Sequence, residues 1–375
     1  MPDNISTQIA DALTERHLRV ARAEAGVRAD VLRLLQATEQ DIVDQIRRID
    51  PSEPGALRFR QQRLEGLLKA IRPMIQDGYD TIADGTSKAL LDIASAEVGG
   101  TARAINVQLG IDLIQPRVPE AMLRALVDTT LLPTATTPQD LSAIGREWWN
   151  RQAGVLQQRV FDTMNVGIVQ GETLQQLVNR VRGTRAKGYT DGVMDLARRD
   201  AQRLVRTWTS LTLNKAREST YEANQDVIKG IQHVSTLDGR TSLICIARSG
   251  NTYTLPEHKP LPPTQHPYAP IPLHWNCRST YIPLLKSFQD ILGDAGTALD
   301  AKLQAIGAGT RASMDGQIAA DTSFQAFLTR KGESFQRKLL GQTRWQLWKD
   351  GKLTLKDLLD STTGDILPVS ALRGT

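Results

Sequence analysis

Aliphatic residues recur at helical spacing through the first third of the chain, and this pattern constrains the fold more than any other feature. One run comprises Val31, Leu35, Ile42, Ile46 and Ile49, and a second comprises Leu64, Leu67, Leu68, Ile71 and Ile75. A recurrence near 3.6 residues predicts amphipathic helices. Residues 50–55 interrupt the pattern with two prolines and a glycine, so we predict two antiparallel helices. These helices are expected to pack against each other as a helical bundle. The alternative is a coiled coil that binds a partner, which would require sustained heptad repeats.

The composition indicates a folded protein with more than one structural unit. The chain has 375 residues, which is long for a single hydrophobic core. Hydrophobic residues make up 40% and aromatic residues only 5%, so aliphatic helix packing must supply most of the core. No apolar run reaches the roughly 18 residues that a membrane span requires, and residues 1–19 lack the apolar segment of a secretory signal. We therefore expect a protein that works in the cytosol or in an assembly built there.

Helices are also predicted between residues 131 and 223. Pro133 and Pro138 mark a boundary, and Thr137 is a suitable N-cap for the helix that follows. That helix is predicted to bury Ile144, Trp148, Val155 and Phe161. A short helix carrying Leu174, Leu177, Val178 and Val181 should stop at Gly183. A long helix from Val193 to Ala223 should bury Leu196, Leu204, Val205, Trp208 and Leu211.

The period changes after residue 230. Residues 231–237, 251–255 and 278–285 are typical of short strands, whereas the prolines crowded into residues 256–272 require an extended loop. Residues 293–317 are predicted to be a linker. Short helices are expected near residues 323–328, 333–340, 343–348 and 353–359. The predicted fold is mainly α with a small β-knuckle (α+β), divided into an N-terminal helical region at 1–135, a central domain at 136–290 and a small helical C-terminal region at 291–375.

Both cysteines and four of the five histidines fall within residues 233–277. His274 and Cys277 are three residues apart, a spacing that lets both face one ion from a tight turn, and Cys245 precedes them in a β-like knuckle. Zinc prefers nitrogen and sulfur ligands in a tetrahedral site. A structural zinc ion is therefore a candidate cofactor, because it would pin a proline-rich segment that has little core of its own.

Other interpretations of this window remain open. Cys245, His274 and Cys277 supply three ligands, and the fourth would be Asp238, His258 or His266, or would be absent. The cysteines would otherwise be simply buried, or would form a disulfide, which a reducing cytosol disfavours. His233 fits a strand residue better than a ligand.

Several motifs in this region resemble the Mu F-like phage head morphogenesis family. Asp238-Gly239-Arg240-Thr241, Cys245, Gly250, Tyr253 and the run from Pro272 to Arg278 are similar to the family's Asp-x-Arg-Thr-Cys-x-x-Cys and Pro-x-His-x-x-Cys-Arg-Cys elements and the strand between them. Gly167, Gly171 and Arg206-Thr207 resemble upstream family elements, so the resemblance covers roughly residues 140–285. It implies a structural minor head protein of a tailed phage. Such a protein acts in capsid assembly in the bacterial cytoplasm, resides in the virion head, and contacts the portal protein and capsid proteins.

The chain departs from the family pattern at three positions. Ser242 and Ser279 occupy positions where the family has cysteines, and Trp208 replaces a glutamate. Because serine is a poor zinc ligand, the departures weaken a four-ligand site. Four residues, named here the structural knuckle, would hold the segment without metal through charge-assisted hydrogen bonds: Asp238, Arg240, Thr241 and Arg278. Ordinary exposed charges are the alternative for these residues.

Charge and ligand chemistry raise two other possible functions, DNA contact and metal-dependent nuclease activity. The net charge of +5 and a basic cluster, Arg330, Lys331, Arg337, Lys338 and Arg344, suggest weak contact with packaged DNA. A solvated helix face is the favoured explanation of the cluster. A metal-dependent nuclease would need several acidic ligands, but the segment offers only Asp238 and Glu257, and thiols suit a structural ion better. We therefore expect no enzyme activity, no small-molecule substrate and no membrane partner.

Overall fold

The computed structural model describes residues 5–48, 57–129, 131–132, 143–264, 266–294, 296–297, 310–313, 316–319 and 322–373. The described helices are α1 (Ile5–Arg47), α2 (Leu57–Leu109), α3 (Glu120–Thr129), α4 (Gly145–Val169), α5 (Leu174–Arg182), α6 (Val193–Glu222), α7 (Leu243–Arg248), α8 (Phe288–Leu292), α9 (Phe324–Thr329), α10 (Glu333–Leu340) and α11 (Gln342–Lys349). The described strands are β1 (Leu131–Leu132), β2 (Ala143–Ile144), β3 (Ile228–Val234), β4 (Thr252–Thr254), β5 (Thr280–Leu285), β6 (Thr310–Ser313) and β7 (Gly316–Ala319). The protein is thus mainly helical with a small antiparallel sheet, as predicted. Within these ranges, no helix is long and apolar enough to span a membrane.

The chain forms two compact units, and each combines segments that are distant in sequence. The first unit comprises residues 1–21, 93–123 and 210–375, and the second comprises residues 22–92 and 124–209. The division into regions 1–135, 136–290 and 291–375 stays a prediction.

The two long N-terminal helices confirm the first prediction. In the second unit, a side chain at Gly78 would overlap the hydroxyl of Thr38, and in the first unit Arg16 donates to the carbonyl of Ala96 over 2.7 Å. The later residue on α1, Thr38, thus faces the earlier residue on α2, Gly78, while Arg16 faces Ala96. The two helices are therefore antiparallel. The predicted apolar residues on both helices are buried, namely Val31, Leu35, Ile42, Ile46, Leu64, Leu67, Leu68, Ile71 and Ile75. Ile49 and the break at 50–55 lie outside the described residues.

The predicted start and buried face of α4 were wrong. Helix α4 begins at Gly145, so Ile144 belongs to β2, while the boundary residues 133–142 lie outside the described part of the chain. Trp148 and Phe161 are only partly buried, and Val155 is exposed. The buried face comprises the neighbouring positions Trp149, Leu156 and Val160, together with Ala153 and Met164. Gly145 also lies on this face. Because it has no side chain, it leaves room for the Trp208 ring, with which a Cβ at this position would clash.

Helices α5 and α6 follow the prediction closely. Thr173 caps α5 with a reciprocal hydrogen-bond pair to Gln176, and α5 ends before Gly183, whose φ of 95° favours glycine. On α6 the predicted apolar residues are buried, except Leu196, which is 41% exposed and does not belong to the core.

Strand β3 is the centre of a three-stranded antiparallel sheet in the order β4-β3-β5. Ile231 pairs with Tyr253 on β4 and with Pro283 on β5. His233 lies in β3, opposite Tyr281, and is completely buried. The sheet confirms the three predicted strands and places their connecting segments in one region of the first unit.

The C-terminal helices pack on α7. Leu237, Ile246 and Ala247 share one buried cluster with apolar residues of the C-terminal segment, among them Phe324, Phe327, Leu328, Leu340, Trp345 and Leu358. Helices α9, α10 and α11 confirm three predicted helices, whereas the fourth is reduced to a 3-10 turn at Lys356–Leu358. The predicted linker is wrong in its described part, because β6 and β7 pair there as antiparallel strands.

Candidate metal centre

The structure brings Cys245, His274 and Cys277 together in the first unit. Their possible ligand atoms all lie within 4.8 Å of one another. The two sulfur atoms are 3.7 Å apart, and Nε2 of His274 is 3.1 Å from Sγ of Cys245. Cys245 comes from helix α7, not from the β-like knuckle that the sequence suggested. His274 and Cys277 lie in the turn that precedes β5.

Local backbone geometry fixes how these side chains point. Asn276 has a φ of 60°, a left-handed conformation that asparagine tolerates, and the Cys277 N–H donates to the His274 carbonyl over 3.1 Å. The hydroxyl of Ser235 donates to the Cys245 carbonyl over 2.5 Å. The Nδ1 atom of His274 is 2.9 Å from the carbonyl of Trp275. Because a carbonyl only accepts, Nδ1 carries a proton, and Nε2 faces the Ser242 hydroxyl and the Cys245 thiol.

The electrostatics favour one thiolate in this group. The hydrogen bond from Cys245 and the nearby imidazole of His274 hold the pKa of Cys277 well below its ordinary value, although burial alone would raise it. The same hydrogen bond, together with burial, raises the pKa of Cys245. Burial alone would lower the pKa of His274, but the hydrogen bond and negative charge of Cys277 raise it. A thiolate beside an imidazole is an arrangement that attracts a cation.

The distance between the two sulfur atoms fits a tetrahedral zinc ion. Zn–S bonds of about 2.3 Å at the tetrahedral angle place two sulfur atoms about 3.8 Å apart, and Cys245 and Cys277 are separated by 3.7 Å. The corresponding N–S edge is about 3.5 Å, so the 3.1 Å between His274 and Cys245 would have to widen slightly. The distance between the two sulfur atoms therefore matches such an ion, and the distance from His274 to Cys245 is shorter than the ideal value.

None of the candidate fourth ligands joins the three donor atoms in the described structure. The carboxylate of Asp238 accepts hydrogen bonds from both terminal nitrogens of Arg278, at 2.5 and 2.7 Å. His258 lies beside Glu218 instead, 2.9 Å from its Oε1 atom. His266 is buried against the backbone of the C-terminal segment, and burial lowers its pKa.

Ser242 and Ser279 border the thiols. The Ser242 hydroxyl is 2.8 Å from Nε2 of His274, and both serine side chains form hydrogen bonds with Cys245. A small cavity adjoins these groups and has room for about one water molecule. It is lined by Thr236, Arg240, Thr241, Ser242, Cys245, His274, Asn276, Arg278 and Ser279. The centre therefore combines three side chains that could hold a metal ion with a polar space beside them.

The structural knuckle is organised around the carboxylate of Asp238. Besides the two bonds from Arg278, this carboxylate accepts the Arg240 N–H over 2.9 Å and the Thr241 hydroxyl over 3.1 Å. Burial alone would raise the pKa of Asp238, but the hydrogen bonds from Arg278 and Arg240 lower it. Arg240 contributes its backbone amide rather than its exposed guanidinium. The knuckle thus connects the turn before α7 to the turn before β5.

A second group of charged residues, which the sequence reasoning missed, holds the proline-rich loop on α6. Tyr268 donates to Oε1 of Glu218 over 2.5 Å, and Lys215 is 2.8 Å from its Oε2 atom. His258 stacks on Tyr268 with 4.1 Å between ring centroids. Burial would raise the pKa of Glu218, but hydrogen bonding to His258 and the charge of Lys215 lower it to about 2. The spacing of Glu218 and Glu222 on one helix face was the available signal, but it did not reveal their partners.

The basic C-terminal cluster is divided by its contacts. Lys331 lies over the Phe327 ring at 4.8 Å, and Arg337 lies over the Trp345 ring at 4.0 Å. Arg344 donates to the carbonyl of Leu367 over 3.1 Å. The remaining members, Arg330 and Lys338, are exposed.

One comparison with known proteins matches this region. The family model described as Phage Mu protein F like protein matches residues 158–282, which begin within α4 and end in β5. No match was found among curated proteins or among solved structures. The matched range includes Cys245, His274 and Cys277 and the structural knuckle. Residues 158–282, about a third of the chain, are therefore similar to the Phage Mu protein F like family.

Proposed function

We propose that the chain is a structural minor head protein of a tailed phage, acting in capsid assembly in the bacterial cytoplasm and residing in the virion head beside the portal. The family match over residues 158–282 carries the proposal. The donor chemistry agrees with it, because two buried thiols and an imidazole suit a structural ion, whereas phosphodiester hydrolysis calls for oxygen ligands around an open metal. A structural protein is accordingly favoured over a nuclease.

Association with the portal is tested by co-expression and by analysis of assembled heads. The full chain is expressed with the portal protein of the same phage, and the mixture is separated by size. We expect the chain to elute with portal oligomers and to be detected by mass spectrometry in heads purified after gentle lysis. A portal protein expressed with an unrelated helical protein is the control. Absence of the chain from both preparations would overturn the proposal.

We propose in addition that the centre binds one structural zinc ion through Cys245, His274 and Cys277. Elemental analysis of purified protein should give about one zinc per chain. The Cys277→Ser variant should lose the ion, because one of three ligands is removed. The His266→Gln variant, which changes a histidine outside the donor group, should keep it. Equal zinc content in both variants would contradict the assignment.

Weak contact with packaged DNA would depend mainly on Arg330 and Lys338. These two side chains are exposed, whereas the other members of the basic cluster contact rings or a carbonyl. Replacing both by alanine should weaken DNA binding at low salt and reduce its salt dependence by about two counterions. Replacing Arg33 and Arg47, two exposed arginines on α1, changes the net charge equally and serves as the control. Identical salt titrations for the two double variants would remove DNA contact at this cluster.

A further inference from the structure

We infer that the metal centre keeps one coordination position for a water molecule or a small anion instead of a fourth protein ligand. This inference rests on the zinc binding proposed above. It concerns what Ser242, Ser279 and the adjoining cavity do at the centre.

The donor count leaves one position without a strong protein ligand. Among the described residues, the group around the thiols contains only Cys245, His274 and Cys277. Asp238 is held by Arg278, and His258 lies beside Glu218. The oxygen nearest to the imidazole is the hydroxyl of Ser242, 2.8 Å from Nε2 of His274. A neutral hydroxyl is not among the side chains that normally bind zinc, which are thiolates, imidazoles and carboxylates.

The cavity supplies the space that such a position requires. It adjoins Cys245 and His274 and has room for about one water molecule. A water molecule is stable in such a space when two to four polar groups contact it. Four residues with hydroxyl groups line it and can provide such contacts, namely Thr236, Thr241, Ser242 and Ser279.

The charge around the cavity defines the class of ligand. Two thiolates balance a divalent ion, so the centre would carry no net charge with a neutral imidazole. Arg240 and Arg278 both line the cavity, and the guanidinium of Arg278 is paired with Asp238. A neutral centre beside two basic residues accepts water and favours a small anion over a cation. Two thiolates, one imidazole and one exchangeable ligand make an open zinc site, in contrast to the closed sites with four protein ligands.

Cobalt(II) and thiocyanate test the open position, because tetrahedral cobalt(II) has visible bands that depend on every ligand. The purified full chain is stripped of metal, loaded with cobalt(II) and titrated with thiocyanate. We expect a saturable shift of the visible bands, since thiocyanate replaces water. Cobalt binding without any shift would overturn the open position while leaving the proposed metal site intact. Absence of cobalt and zinc binding would overturn both.

Variants at Ser242 separate a hydroxyl ligand from an exchangeable one. Ser242→Ala should keep the thiocyanate response, because the hydroxyl is not a ligand. Ser242→Cys should abolish the response and tighten zinc binding by about tenfold or more, since even an outer-shell group changes metal affinity on that order. Ser249→Cys adds a thiol at the opposite end of α7 and should behave like the unmodified chain. Loss of the response in Ser242→Ala, or its persistence in Ser242→Cys, would refute the inference.

Discussion

The charge of Glu218 should stabilise the folded protein by an amount that depends on pH. The pKa of this carboxyl falls from 4.5 to about 2 in the folded protein, and its side chain is only 7% exposed. Because each tenfold change in acidity is worth about 1.4 kcal/mol, the charge contributes on the order of 3 kcal/mol at neutral pH. A folded-state pKa below the unfolded value means that this stability is complete above about pH 4.5. It is lost as the pH falls toward 2.

The assay compares the unfolding free energy of the unmodified chain with that of Glu218→Gln, which keeps the shape and removes the charge. Chemical denaturation at several pH values gives both quantities. Linkage predicts that the difference between the two proteins shrinks by about 1.2 kcal/mol between pH 5 and pH 3.5. A difference that stays constant over this range would refute the electrostatic account of Glu218.

Three further predictions concern packing and buried charge. Trp149→Ala should destabilise the protein by about 3–5 kcal/mol, because the Trp149 ring is buried. Trp148→Ala should cost clearly less, because Trp148 is only partly buried. Denaturation curves that show the larger loss for Trp148→Ala would contradict the buried face assigned to α4. Arg278→Lys removes the paired hydrogen bonds to Asp238 and should cost only about 1 kcal/mol in thermal unfolding, since Arg278 is 37% exposed; an unchanged melting temperature would count against the knuckle. Glu97→Gln leaves the buried charge of Arg217 without its 2.6 Å partner and should cost about 3–5 kcal/mol in the same assay, and a loss below about 1 kcal/mol would refute this.

Periodic patterns made most of the helices predictable from the sequence. Apolar spacing and the capping residues fixed α5 from Thr173 to Gly183, because both signals act within a few residues of the chain. The α4 face was placed one position off, because its apolar residues allow two faces and the choice depends on Gly145 making room for Trp208. Such a contact joins residues far apart in sequence and leaves no periodic trace.

The candidate site was predictable only as a set of side-chain types. The clustering of cysteines and histidines singled out Cys245, His274 and Cys277, and the structure places their ligand atoms together. The sequence did not separate these three residues from His258 and His266, because all five lie within residues 245–277. Tyr268 and Glu218 select His258 by stacking and ion pairing, and those partners are 10 and 40 residues away. Contacts between residues so far apart in sequence cannot be predicted from local sequence patterns.

The thiols belong to a hydrophobic core, and this decides how much the fold should depend on metal. Cys245 and Cys277 are buried in one cluster with Ile231, Tyr253 and Ile282. Asp238 and Arg278 join the two turns beside them independently of any ion. Small zinc domains unfold without metal because they lack such a core. We therefore expect chelator to leave the secondary structure unchanged by circular dichroism while zinc is released. Cooperative unfolding on addition of chelator at 25 °C would show instead that the metal, rather than the core and the knuckle, holds this segment together.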